Sequence, residues 1–420
     1  MKVRLDIKQL QIGHYVHLPL SWGKHPFLLN AFKIKTNEQL AIIKQLGLNS
    51  VTINALKSDV FDSPVDTEEA ANVIAAETES ELAPIASQAL DEMWSKKQEG
   101  RQQLAAIEER IHRSKEAFAN TLNDVQEIFE LDKSNQSPTI SNALAIVSFI
   151  YKNISSESGS AIHLMNDSVG YSRLHYHSLN VSLLSVLICQ AKGFTPKQCQ
   201  LVAFSGLYHD IGKTQLPLSL LSTPEPTEAS EIKRLHSHLD KSLQISAKIP
   251  KFPEAALKLI GQHHERNDGS GYPKGLRKDE IHQLSRILIL ANAYDNLCNG
   301  IESKSCPHDA LTYLYNKCRD QHDVQDIMAL IRVVGVYPPG TLVELSDQQI
   351  GVVVSTNQEN RLSPFILVYD QNVPRDQAAI INIGEFGLSI NKVLNDRELT
   401  LDQYHYLNPS SQSTYFIDVE

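Results

Sequence analysis

His177, His209, Asp210, His238, His263 and His264 constrain the middle of this chain more than any other feature. They fall in a stretch with helical periodicity almost throughout, broken at prolines and glycines. Neutral imidazole ligates a metal through one ring nitrogen, and an aspartate can bridge two cations. A dinuclear site needs about this many groups. Paired metals polarise a phosphoryl oxygen and turn a bridging water into hydroxide near neutral pH. Taken singly the residues say little, because a lone helical histidine is more often a surface or satisfied core residue. The joint pattern is what points to chemistry.

With 420 residues the chain can hold two or three domains, each with its own core. A formal net charge of −10 repels nucleic-acid backbones, and no basic patch offsets it, so polymeric DNA or RNA is not expected as a partner. A small anionic ligand stays open, since a metal or a few local cations reverse the sign inside a pocket. Cys189, Cys199, Cys298, Cys306 and Cys318 are irregularly spaced with no Cys-x-x-Cys pair, and read as reduced thiols of a cytoplasmic protein. The first residues lack the apolar core of a signal peptide, and no apolar run is long enough to span a membrane.

The fold class expected is mainly α. A domain with helical periodicity almost throughout is flanked by a small N-terminal α/β domain and a small β-rich C-terminal appendage. Residues 1–57 form the first, with strands expected at Val3–Ile7, Tyr15–Leu18 and Ser50–Ile53 and a helix over Asn37–Leu46 closed by Gly47. Residues 58–84 are an acidic linker, 85–137 connector helices, 138–335 the histidine-bearing domain and 336–420 the extension. In the extension, strands are expected at Thr341–Leu345, Ile350–Val354 and Phe365–Tyr369. In the connector, Leu104, Ile107, Ile111, Phe118, Leu122, Val125 and Phe129 make a heptad-like seam. Two compatible readings follow: a helix packed on its own domain, or one that pairs with a second copy as a homodimer.

Residues 175–295 resemble the HD-GYP family, a branch of the HD phosphohydrolases. The resemblance is carried by His177-Ser178-Leu179-Asn180-Val181, by His209-Asp210-Ile211-Gly212-Lys213, by His238, and by the run His263-His264-Glu265-Arg266-Asn267-Asp268-Gly269-Ser270-Gly271-Tyr272-Pro273-Lys274-Gly275-Leu276. Arg286-Ile287 follows. His236 competes with His238, which is preferred because Ser242 and Ile245 then fall into the family spacing. Gly13-His14-Tyr15-Val16, Trp22 and Pro26-Phe27 resemble a small domain of unknown function that often precedes HD-GYP in bacterial proteins.

The resemblance implies an all-helical HD-type metal-dependent phosphohydrolase domain and bacterial second-messenger signalling: hydrolysis of cyclic di-GMP to pGpG or GMP through a metal-bridging hydroxide. The implied ligands are His177, His209, Asp210, His238, His263, His264 and Asn292, holding two divalent transition metals, iron or manganese. Asp210 and Lys213 are the implied catalytic pair. Lys213, Gly269, Gly271, Tyr272, Pro273, Arg286 and Lys304 are the implied substrate contacts. The Gly-Tyr-Pro loop also implies diguanylate cyclase (GGDEF) domains as partners. Glu265 and Asp268 are expected to hold loop geometry rather than carry protons.

Three positions depart from the family. Asn292 stands where the family has a ligand aspartate, which removes a full negative charge beside a dication. Arg173 replaces the glutamate that serves a third metal, so at most two metals are expected. Ile301 falls where the family has a ligand-binding arginine, and Lys304 keeps a second basic position. An altered but active phosphodiesterase, and a weakened domain that binds cyclic di-GMP or partner proteins without hydrolysis, both remain open.

Overall fold

The computed structural model describes residues 2–20, 22–27, 29–60, most positions between 90 and 130, and 140–154, 162–165, 173–221, 228–299, 306–357, 360–371, 373–375, 378, 380–408 and 414–417. They divide into two compact units. The first comprises Met1–Glu108, Ser346–Gln349 and Val368–Ile380, and the second Glu109–Leu345, Ile350–Leu367 and Ile381–Glu420. The acidic linker lies mostly outside the described residues.

In the first unit, β1 (Lys2–Asp6), β2 (Tyr15–His17), β3 (Ala31–Lys33) and β4 (Ser50–Asn54) form an antiparallel sheet in the order β1-β4-β2-β3. Helix α1 (Asn37–Gln45) starts at Thr36, whose side chain accepts from the Gln39 amide, and buries Ile42 and Ile43 in a core with Val16, Leu18, Ile34 and Ile53. Gly47 follows the helix at φ 70°, the left-handed conformation that ends helices. The expected elements are present, and β3 is added to them.

The second unit is mainly helical. α2 (Ile140–Ile154), α3 (Arg173–Ala191), α4 (Pro196–Tyr208), α5 (Ala229–Lys248), α6 (Glu254–Gly261), α7 (Gln283–Asn299), α8 (Pro307–Lys317) and α9 (Val324–Val334) share one core. α3 is its spine. Every residue from His175 to Cys189 is buried, because α2, α4, α7 and α9 all pack against it. A helix covered on all sides needs no apolar stripe, and so its two histidines, its serines and its asparagine sit inside the domain. All five cysteines are buried thiols.

Phe118, Leu122, Val125, Ile128 and Phe129 are buried in this same core. Phe118 meets Tyr176 at 5.8 Å and Phe129 meets His175 edge-on at 5.1 Å. This part of the heptad-like seam is therefore occupied within the chain and is not open to a second copy. The side chains of Leu104, Ile107 and Ile111 lie outside the described residues.

The strands β6 (Leu342–Leu345), β7 (Ile350–Ser355) and β8 (Phe365–Val368) form as expected. Sequence patterning missed β5 (Ile162–Met165), β9 (Ile380–Asn382), β10 (Ile390–Leu394) and β11 (Thr414–Ile417). The sheet order is β10-β6-β7-β5-β11, with β8 beside β7 and β9. Ile162 to Met165 pair antiparallel with Ile417 to Thr414. The sheet thus draws one of its strands from just ahead of α3, across the boundary expected near residue 335. Among the described residues no helix is long and apolar enough to cross a membrane.

Candidate metal centre

Four elements deliver the histidines to one point. α3 carries His177. α4 ends at His209-Asp210, α5 carries His238, and the turn after α6 carries His263-His264. Close backbone approach makes this feasible. A Cβ on Gly206 would come within 2.9 Å of Ser182 Cα, so only glycine lets α4 press this tightly on α3.

The ring nitrogens are sorted. His209 Nδ1 donates to the Gly206 carbonyl, His238 Nδ1 to Leu235 and His263 Nδ1 to Ile260, each at 2.7 Å. His177 Nδ1 donates to Asp295 Oδ2 at 2.6 Å. Donation from Nδ1 leaves Nε2 as the inward acceptor, the tautomer a metal requires. These Nε2 atoms converge: His177 on His209 at 3.1 Å, and His238 on His263 at 3.3 Å and on His264 at 3.0 Å. Nitrogen lone pairs packed this closely repel unless a proton or a metal ion stands between them.

Asp210 is 1 % exposed and faces both groups. Its Oδ2 lies 3.3 Å from His177 Nε2 and 3.4 Å from His209 Nε2; its Oδ1 lies 3.3 Å from His238 Nε2 and 3.7 Å from His263 Nε2. Oδ1 is buried without a hydrogen-bond partner. A buried, unsatisfied carboxylate oxygen facing histidine lone pairs fits a divalent transition metal, for which imidazole and carboxylate are apt donors. Two clusters have metal-ligating dimensions, His177-His209-Asp210 and Asp210-His238-His263-His264.

Burial drives His238 down to about 3 against the pull of Asp210, and it holds His209 and His264 well below the ordinary imidazole range. These rings stay neutral. His177 differs. Burial opposes its charge, but hydrogen bonds to Asp210 and Asp295 outweigh it and raise its pKa to about 9. A folded pKa above the ordinary 6.5 contributes stability that is fully present below pH 6.5 and is lost as pH rises through about 9. Metal-free protein is therefore expected to lose stability across that window, as read by denaturant melts in chelator. A metal must also displace this proton, so binding at neutral pH should release about one proton, as read by calorimetry in buffers of differing ionisation enthalpy. Release of none would show His177 to be neutral.

Lys213 follows Asp210 on a 3-10 turn (Ile211–Gln215), and its ammonium pairs with Asp210 Oδ2. Glu265 is fully buried and accepts from the amides of Lys274 at 2.9 Å and Leu276 at 2.8 Å. Asp268 accepts from the Ser270 amide and hydroxyl. Both acids brace the Gly-Tyr-Pro loop. Gly269 has φ 82°, and a Cβ on Gly271 would come within 2.5 Å of Glu265 Cα and the His264 carbonyl, so the loop lies directly on the histidine pair. The Tyr272 amide donates to that carbonyl at 3.1 Å, and Pro273 is exposed.

The other expected residues have partners of their own. The Arg286 guanidinium donates to the carbonyls of Lys278 and Ile281 and lies 3.9 Å from Asp326, so it brackets α7, the preceding loop and α9. The Asn292 carbonyl accepts from the Asn296 amide at 2.8 Å. Arg173 donates to the Asn299 carbonyl at the end of α7. Ile301 and Lys304 lie outside the described residues.

The sequence reading gives Asp295 no role; in the structure it holds His177 through Nδ1. Its Oδ1 accepts from Asn180 and Asn299, each at 2.8 Å. Asn180 lies three residues after His177 and Asn299 four after Asp295, each pair on one helix face, but that spacing does not say that the two faces meet.

The family model described as HD domain matches residues 160–324, and a domain of unknown function, DUF3391, matches residues 2–132, connector positions included. The chain is an HD-domain protein of the HD-GYP type. This HD-GYP protein is 24% identical over 393 residues to a cyclic di-GMP phosphodiesterase of Pseudomonas aeruginosa, covering 92% of this chain and 90% of that one. A 3'3'-cGAMP-specific phosphodiesterase of Vibrio cholerae is 31% identical over 121 residues, 29% of this chain and 26% of the relative. Among solved structures, the HDG"Y"P protein Bd1817 of Bdellovibrio bacteriovorus aligns with TM-score 0.43 and 21% identity, over 79% of this chain and 98% of that one.

Proposed function

We propose that the HD-GYP domain hydrolyses a phosphodiester of cyclic di-GMP, to pGpG or GMP, with two divalent transition metals, iron or manganese. The observation that carries this is the sorted set of imidazoles whose Nε2 atoms converge on a shared, buried Asp210. Bound metals would supply Lewis acidity to the phosphoryl oxygen and lower the pKa of the attacking water. The chain's own part is positional. Asp210 holds the two histidine groups in one frame, Asp295 fixes the His177 tautomer, and Lys213 offers a point charge to a phosphate oxygen. Cyclic di-GMP is favoured over a mixed dinucleotide because the relative named for it matches nearly the whole chain, and the cGAMP-specific relative only part of the HD domain.

Anaerobic protein loaded with manganese or ferrous iron is expected to turn over cyclic di-GMP faster than 3'3'-cGAMP; turnover of neither overturns the proposal. The alternative is a domain that binds the dinucleotide, or a diguanylate cyclase domain at the exposed rim of the Gly-Tyr-Pro loop, without hydrolysis. It is favoured by the neutral Asn292, already engaged by Asn296. Asn292→Asp is expected to raise metal affinity by about 10- to 100-fold, the range in which changes around a metal shift binding. An unchanged metal titration would show that position 292 does not limit the site.

A further inference from the structure

We infer that Tyr272 and His236 form a ring clamp that orients His264, which makes both of them positioning residues of the metal centre. The inference rests on the reading of His264 as a metal ligand. His177, His209, His238 and His263 each have Nδ1 tied to a carbonyl or carboxylate oxygen. His264 is the one member of the set without such a tie among the described residues. Its hydrogen bonding is through Nε2, toward His238. A ligand imidazole with nothing on Nδ1 is free to turn about its side-chain bonds, and some other contact has to fix its plane.

That contact is Tyr272. The two rings lie 4.5 Å apart at 20°, a stacked pair. Tyr272 is stacked in turn on His236, at 3.7 Å and 12°. Two imidazoles at these separations would overlap on one face of the phenol ring, so they take opposite faces and Tyr272 is held between them. The sandwich is anchored at both ends. His236 precedes His238 by two residues on α5, so the same rigid helix supplies a ligand and the outer plate of the clamp. On the inner side, the Tyr272 amide bonds to the His264 carbonyl, Gly271 lies where a Cβ would fall 2.5 Å from that carbonyl oxygen, and the buried Glu265 carboxylate grips the amides of residues 274 and 276. Loop, tyrosine and ligand form one closed assembly. His236, which competes with His238 in the sequence, is thereby given a place outside the ligand set.

Cobalt(II) titration of the full chain, followed by its visible absorption, tests this, with a thermal melt of each metal-free variant as control. Tyr272→Ala is expected to weaken cobalt binding by about tenfold or more and to change the band shape, as loss of an outer partner does. Tyr272→Phe, which keeps the ring, is expected to restore both. His236→Ala should weaken binding in the same direction, and His236→Phe, which keeps the stack and removes the nitrogens, should recover it. Wild-type affinity and spectrum in both alanine variants would overturn the clamp. So would failure of the phenylalanine variants to recover, which would assign the effect to the hydroxyl or to a His236 nitrogen. Wild-type protein that binds no cobalt would remove the ligand reading itself, an outcome visible before any variant is made.

Discussion

Asp210→Asn is expected to abolish metal binding at both clusters and reduce dinucleotide turnover by more than the ~10- to 100-fold that loss of an outer metal partner costs. The reason is that one carboxylate serves two groups. Oδ2 faces His177, His209 and Lys213, and Oδ1 faces His238 and His263. Asparagine keeps one acceptor oxygen and puts an amide donor in place of the other. Both clusters lose their anion, and whichever way the side chain turns one of them faces an amide donor instead of an acceptor. The fold should tolerate the change better than the chemistry does. Oδ1 has no hydrogen bond to lose, and the Lys213 side chain, 21% exposed, reaches water. His177 should also drop from its pKa of about 9, because one of its two carboxylate partners becomes neutral. Elemental analysis, a turnover assay and a denaturant melt check this together. A variant that keeps two equivalents of metal and normal turnover would remove Asp210 from the centre of the site.

Much of this site is legible in the sequence because its spacing is fixed by helix geometry. His209 and Asp210 leave the end of α4 together, and His263 and His264 sit on one tight turn, so each pair arrives as a unit wherever its helix packs. The loop acids Glu265 and Asp268 are legible for the same reason, since their partners lie within a few residues. Asp295 is not, because its role depends on how α7 docks against α3, a non-local fact that helical periodicity does not encode. Arg286 shows the converse. It matches a pattern in sequence, yet its nearest acceptors are carbonyls of the preceding loop, and local geometry claims it first. The short strand β5 is hidden because four residues carry too little alternation to mark a strand, and its partner β11 lies at the far end of the chain. The connector seam is an intermediate case. Its apolar periodicity is real, but periodicity names a buried face without naming what covers it, and for Phe118 to Phe129 the cover is the domain's own core.

Gly212→Ala is expected to have the largest effect of any glycine-to-alanine change among the described residues. In the His-Asp-Ile-Gly-Lys run the glycine lies against α5, and its amide donates to Ser242 Oγ at 2.9 Å. A Cβ there would fall 2.2 Å from the His238 carbonyl oxygen and 2.5 Å from the Ser242 amide nitrogen. Both are backbone atoms inside a helix and cannot turn aside as a side chain could. The 3-10 turn would have to lift away from α5, at the upper end of the ~1–3 kcal/mol typical of overpacking. The displacement would fall on the chemistry as well, because the turn begins at Asp210 and carries Lys213, and the helix it leaves carries His238. Loss of stability and loss of metal should therefore appear together. Gly23→Ala is the matched control, since its added methyl meets nothing within 4 Å and its effect should be neutral to slightly stabilising. Denaturant midpoints and metal content of the two variants decide the matter. A Gly212→Ala protein with the midpoint and metal content of the parent would mean that α5 and the His-Asp turn are not in the contact described, and the shared frame around Asp210 would have to be redrawn.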